Sequence, residues 1–132
     1  MATIHREIEI ACDLAKAWRE LRDFSSASRL FAGVLTDCRE QAGLRTVTFA
    51  DGVVVQEQLI AVDEDRHRIA YAVVNGSFAH HGASMQLTPS GDKVTFVWTT
   101  DFLPDEIKPR IQALVDAGCA AIKRNLEARA PQ

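Results

Sequence analysis

A carboxylate set into an apolar row marks where this chain could do chemistry. Alternate residues of a strand share a face. The stretch Val53–Val62 therefore places Val53, Val55, Glu57 and Leu59 on one side, against Val54, Gln56, Gln58 and Ile60 on the other. The first set is the more apolar apart from Glu57. Desolvation disfavours an ionised carboxylate unless a cation or hydrogen-bond donors compensate, which can bring Glu57 into the range of an acid or base near neutral pH. By the same parity Ile69, Tyr71 and Val73 outrank Ala70 and Ala72 as an inner set, and Val94, Phe96, Trp98, Thr100 and Phe102 form one row. A phenol such as Tyr71 can donate to a carbonyl oxygen. A histidine such as His81 can partner a carboxylate in proton transfer. Against acid–base chemistry at Glu57 stands a structural ion pair with Arg45.

Other chemistries lack their parts. His80 and His81 are neighbours on a strand, so they point to opposite faces and cannot both hold one ion. His5 and His67 add no ligand spacing, and no metal site is expected. There is no glycine-rich phosphate loop, no G-x-S-x-G elbow and no paired C-x-x-C motif, so no nucleotide or redox cofactor is implied. Cys12, Cys38 and Cys119 are odd in number and widely spaced, which argues against a disulfide framework. With no apolar N-terminal segment of signal-peptide length, the expected location is the cytoplasm. The balance of 15 Lys+Arg against 18 Asp+Glu, a net charge of -3, is too acidic to point to nucleic acid. No basic amphipathic helix or long apolar span suggests membrane insertion.

The elements that must position these side chains follow from periodicity. A first strand covers about Ile4 to Cys12. Asp13 then reads as the N-cap of a short helix through Arg22, with Leu14, Trp18 and Leu21 on one face, and a second short helix covers Ser25 to Phe31. Strands follow at Val34–Glu40, Leu44–Ala50, Val53–Val62, His67–Val74, His80–Thr88 and Val94–Phe102, most of them separated by short turn-like segments. Asp51-Gly52 signals a tight hairpin. From Pro104 to Arg129 one amphipathic helix carries Ile107, Ile111, Leu114, Val115, Ile122 and Leu126 on a single stripe. Gly118 interrupts that stripe. Glycine inside a helix costs roughly 1 kcal/mol relative to alanine, so its presence on the buried face predicts that something needs the room. Successive short connections imply antiparallel pairing, and the long helix must cover the sheet's apolar face. The fold class is therefore α+β, with residues 1–132 forming a single domain and a cavity between a curved sheet and the helix.

Particular segments carry a resemblance to a known family. Asp13–Phe24 with Trp18 and Asp23-Phe24, Gly43-Leu44-Arg45-Thr46-Val47, Val55-Gln56-Glu57-Gln58-Leu59, Ile69-Ala70-Tyr71, Val94–Trp98 and Phe102-Leu103-Pro104 resemble the helix-grip superfamily of START and Bet v 1-like proteins. The likeness spans about residues 3 to 127 and is strongest to small bacterial stand-alone members of the polyketide cyclase/dehydrase group. The resemblance implies a helix-grip fold: a curved seven-stranded antiparallel sheet wrapped on a long C-terminal helix, with two short helices after strand 1. It also implies an inward Glu57, and inward places for Arg45, Val47, Phe49, His81, Ala83 and Met85. With the parity sets, the expected ligand-facing residues are these together with Val55, Tyr71, Val73, Trp98 and Thr100 from the sheet, and Ile111, Val115 and Gly118 from the helix.

Three functions fit. The chain binds a small hydrophobic molecule (aromatic, polyketide-like or lipid-like) in its cavity; or it is a true cyclase or dehydratase using Glu57, His81 and Tyr71 on a poly-β-keto chain; or it is a non-enzymatic carrier of a lipid or quinone, or an interaction domain. The last would present an apolar patch at the cavity mouth, around Asp51-Gly52 and Asn75–Ala79. The outward sheet face shows no clear apolar patch, leaving monomer and homodimer both open.

Overall fold

The computed structural model describes residues 1–129; the last positions of the expected domain, 130–132, lie outside the described residues. Strand β1 (Ala2–Ile10) leads into α1 (Leu14–Arg22), whose N-cap Asp13 accepts the Lys16 backbone N–H, as the sequence predicts. Ala17, Trp18 and Leu21 form the buried face of α1. The second expected helix is split: a 3₁₀ turn at Phe24–Ser26 runs into a single α turn, α2 (Ala27–Leu30). Asp23 starts that turn by accepting the Ser25 backbone N–H at 3.0 Å.

Six strands follow: β2 (Leu35–Gln41), β3 (Leu44–Phe49), β4 (Val54–Asp63), β5 (Arg68–Val73), β6 (His80–Ser90) and β7 (Lys93–Leu103). With β1 they make one seven-stranded sheet in the order β1-β7-β6-β5-β4-β3-β2, each neighbouring pair antiparallel. A 3₁₀ turn at Asp105–Ile107 then precedes the long helix α3 (Lys108–Ala128), so the expected helix from Pro104 begins with a tighter turn.

Two local features depart from simple alternation. The pairing of β4 with β5 slips between Leu59 and Ala61, so that Leu59 faces Tyr71 while Val62 faces Ile69. Ile60 is left over by this bulge and is 63% exposed. The Asp51-Gly52 hairpin is wider than a two-residue turn. Phe49 donates its N–H to the Val53 carbonyl, Gly52 donates back to the Phe49 carbonyl, and Gly52 has φ +92°. Val53 consequently falls in the loop rather than in β4.

The core runs along the grip, with Ile4 and Phe102 buried at one end and its densest part at the other. Phe96, Leu87, Val94, Ile10 and Leu30 are almost wholly buried there, together with Ile122 and Leu126 of α3. Polar side chains tie this end of α3 down. Lys123 donates to the Glu9 carbonyl, Glu127 accepts the Ala11 N–H, and Asn125 donates to the Leu30 and Ala32 carbonyls. The other end of α3 stands off β3–β6, and the cavity opens there.

Candidate functional site

The cavity has a volume of about 290 Å³ and lies between the N-terminal half of α3 and the concave face of the sheet. That is close to the lower limit of small-molecule sites, which span roughly 300–1,000 Å³. Its floor comes from inward rows: Arg45, Val47 and Phe49 of β3, Val55 and Glu57 of β4, Tyr71 and Val73 of β5, His81 and Met85 of β6, and Trp98 and Thr100 of β7. Ile111, Val115 and Gly118 roof it, and the segment from α2 to β2 closes one wall with Ala27, Phe31, Val34 and Leu35. The hairpin residues Asp51 and Val53, the loop Asn75–Phe78, and Arg110 and Leu114 of α3 also line it. Val53, Val54 and Leu114 are 53%, 50% and 36% exposed, so the rim is partly apolar.

Three polar arrangements interrupt this lining. Arg45 donates through Nε to Glu57 Oε1 at 2.6 Å, with only 6% and 13% of the two side chains exposed. The β3–β4 register sets Arg45 directly opposite Glu57, so the pairing is built into the sheet. The guanidinium also donates to the Phe24 carbonyl and lies 3.8 Å from the centre of the Phe24 ring.

In the second arrangement the Trp98 indole Nε1 donates to Tyr71 Oη at 3.2 Å. Burial, aided by the Glu57 carboxylate, pushes the Tyr71 phenol up, so it keeps its proton in neutral solution. The third is built on His81. Pairing between β5 and β6 stops at Tyr71 and Ala83, and beyond it the Val73 N–H donates to His81 Nδ1 at 2.9 Å. The imidazole supplies the acceptor that a neighbouring strand no longer provides. Its Nε2 lies 3.2 Å from Thr100 Oγ1. Burial, with a smaller contribution from His80, lowers the His81 pKa to about 4. The ring is thus neutral at pH 7, with Nδ1 occupied as an acceptor.

The residues expected to face a ligand gather around this cavity with one exception. Ala83 faces inward and is 8% exposed, yet it is not part of the lining. It sits in register between Tyr71 and Thr100, and its methyl group is too short to reach the space between such neighbours. Glu57 is held by Arg45, which agrees with the ion-pair alternative. Gly118 makes room, but for a side chain: a Cβ there would lie 2.7 Å from Trp98 Cζ3. Trp18 stays outside the lining and donates to Glu64 in the turn after β4 at 2.8 Å.

Sequence reasoning did not single out Phe31 and Phe78. Phe31 packs on Trp98 at 5.6 Å between ring centres and Phe78 on His81 at 4.7 Å. A large aromatic in the otherwise polar Asn75–Ala79 stretch was the signal available for Phe78. Cys119 is buried beside Gly118, and burial pushes its thiol up to about 11, which leaves it unreactive. Among the described residues no group of three His, Cys, Asp or Glu side chains could hold a metal ion, and no helix is long and apolar enough to cross a membrane.

A curved seven-stranded antiparallel sheet gripping a C-terminal helix, with two short helices after strand 1 and a cavity between, defines a helix-grip protein. The chain belongs to the polyketide cyclase / dehydrase and lipid transport family, whose model matches residues 1–130. Among solved structures, an uncharacterised protein from Bacillus thuringiensis is similar at 15% identity and TM-score 0.85, covering 95% of this chain and 98% of that one. Norcoclaurine synthase from Thalictrum flavum, solved with dopamine and hydroxybenzaldehyde, is similar at 18% identity and TM-score 0.74, covering 99% and 89%. The di-domain ARO/CYC protein BexL of the BE-7585A biosynthetic pathway is similar at 12% identity and TM-score 0.83, covering 96% of this chain and 47% of that one. At these identities the likeness concerns the fold. A search of curated proteins returns no match.

Proposed function

We propose that this protein binds a small, largely hydrophobic molecule, aromatic or polyketide-like, in the cavity between sheet and α3. The observation that carries this reading is the cavity itself: about 290 Å³, mostly apolar, with Trp98, Phe31, Phe49 and Phe78 around it and a few polar groups converging on it. Burying an apolar ligand there removes its surface from water at about 25 cal/mol per Å², and the polar groups fix its orientation. That norcoclaurine synthase holds two small aromatic compounds supports the same size class of ligand for this scaffold.

Catalysis is the second reading. Glu57 Oε2 takes no hydrogen bond among the described residues and belongs to a cavity-lining side chain, beside the protonated phenol of Tyr71. Such a pair fits proton transfer in aldol-type cyclisation and dehydration. His81, neutral and with Nδ1 occupied, fits a hydrogen-bond donor better than a base. The partly apolar rim also suits a carrier that passes a lipid-like cargo to another surface.

The test is native mass spectrometry of the gently purified protein, followed by titration with the neutral fluorophore N-phenyl-1-naphthylamine. A stoichiometric small-molecule adduct, or saturable one-to-one binding of the fluorophore, supports the reading. A clean mass together with no saturable binding overturns it. Once a ligand is in hand, Glu57→Gln separates the alternatives: an enzyme loses turnover and keeps affinity, whereas a binder changes affinity alone.

A further inference from the structure

Two hydroxyl groups on the cavity wall have their oxygens engaged and their hydrogens free. Tyr71 Oη accepts the Trp98 indole N–H. Thr100 Oγ1 meets His81 Nε2, and the direction of that bond follows from the other side of the ring. His81 Nδ1 accepts the Val73 N–H, so a neutral imidazole carries its hydrogen on Nε2 and donates it to Thr100. Each hydroxyl is therefore an acceptor towards the protein, and neither has an acceptor of its own among the described residues.

Both residues are deeply buried, Tyr71 at 4% and Thr100 at 3% exposed, and both line the cavity. They share one transverse row of the sheet, on either side of the short Ala83. A buried O–H without an acceptor is costly, so the wall lacks acceptors at the place where a ligand would lie.

Building on the ligand-binding reading above, we propose that Tyr71 and Thr100 are a paired donor set that selects a ligand by an oxygen carrying no hydrogen of its own, a ketone, ester or ether oxygen. Trp98 and His81 are the positioning residues behind them. Each is a donor that occupies the hydroxyl oxygen and so turns the hydroxyl hydrogen towards the cavity. On the other side of Tyr71 the Arg45 guanidinium is engaged through Nε by Glu57 and through Nη1 by the Phe24 carbonyl, whereas both wall hydroxyls keep their hydrogens free, so the Tyr71–Thr100 row is where a ligand oxygen meets two hydroxyl donors together.

The experiment compares probes matched in shape: 2-acetylnaphthalene, 2-methoxynaphthalene and 2-isopropylnaphthalene. The first two offer an oxygen acceptor and the third offers none. The readout is the ratio of oxygenated-probe affinity to hydrocarbon affinity, which general loosening of the cavity leaves unchanged because it weakens both. Tyr71→Phe and Thr100→Val are each expected to lower the ketone ratio about tenfold, the worth of one hydrogen bond. Thr100→Ser restores the donor and the ratio. His81→Phe lowers the ratio, and His81→Gln, whose amide can accept from Val73 and donate to Thr100, restores it. A ratio unchanged in both Tyr71→Phe and Thr100→Val overturns the inference while leaving the binding reading standing. Failure of all three probes to bind a parent protein that binds N-phenyl-1-naphthylamine overturns the inference alone, and failure of the fluorophore as well, with a clean native mass, overturns both. If a variant does not fold, the carbonyl stretch of bound 2-acetylnaphthalene decides in the parent protein: a shift below its value in hexane supports donation by the wall, and a hexane-like frequency overturns it.

Discussion

Gly118 and Trp98 are fitted to each other across the grip. The indole edge lies where a side chain on the helix would begin, with Cζ3 at 2.7 Å and Cη2 at 3.0 Å from the position of a Cβ on residue 118. Gly118→Ala therefore sets a gain of roughly 1 kcal/mol in helix propensity against the 1–3 kcal/mol typical of overpacking. The expected outcome is a net loss of roughly 1 kcal/mol, with Trp98 displaced into the cavity and its bond to Tyr71 broken. Urea unfolding and tryptophan emission check this; a more stable protein with unchanged emission would show that the contact yields freely.

The Arg45–Glu57 pair is buried on both sides, so its halves should fail alone and be replaceable together. Arg45→Met leaves a carboxylate without its cation and is expected to cost about 3 kcal/mol. Combining it with Glu57→Leu should recover most of that loss. Chemical denaturation of the two single variants and the double variant measures the coupling, and strict additivity would refute it.

His81 should make stability fall in mildly acidic solution. The unfolded chain takes up a proton on this residue near pH 6.5 and the folded protein near pH 4. The unfolded state thus binds more protons between those values, and stability drops as pH falls through the window. After allowance for partial solvent screening, the loss is roughly 2 kcal/mol by pH 4. His81→Gln should remove this component. Asp63, Glu64 and Glu127, whose pKa values are lowered by their hydrogen bonds, destabilise in the same direction at lower pH and remain in both proteins. Equal slopes in parent and variant between pH 7 and 4.5 would rule out a buried, neutral His81.

Filling the cavity should abolish binding without unfolding the chain. Val115 roofs it and is 3% exposed, and Val115→Phe extends into open space rather than packed core. Stability is expected to change by less than about 1 kcal/mol, while fluorescence from N-phenyl-1-naphthylamine is lost. Retained fluorophore binding would place the bound probe elsewhere.

Much of this site was readable because strands alternate. Glu57, Tyr71, Trp98 and Thr100 fall on inward rows that parity alone identifies, and resemblance added Arg45 and His81. Alternation fails where the backbone breaks it. The bulge at Ile60 shifts the inward set from Ala61 to Val62, and the three-residue loop at Ala50–Gly52 carries Val53 out of β4. Neither leaves a periodic trace. Phe31 and Phe78 reach the cavity from irregular backbone, where spacing carries no directional information. Gly118 was legible as a vacancy, but its occupant was not, because Trp98 lies twenty residues away and meets the helix only through the closure of the sheet. The acceptor role of His81 Nδ1 depends on where β5 and β6 part, and strand lengths do not encode that.

The bonds that fasten α3 are unevenly placed along it. Lys123, Arg124, Asn125, Glu127 and Arg129 all reach neighbouring elements, whereas ahead of Gly118 Asp116 alone does so among the described residues, through Arg6. One helix is thus divided in labour: its second half anchors the architecture and its first half faces the guest. Mutation can explore Arg110 and Leu114, which are exposed at the rim, with little penalty to the foundation, so descendants of a single scaffold can change what they hold while the hold itself persists.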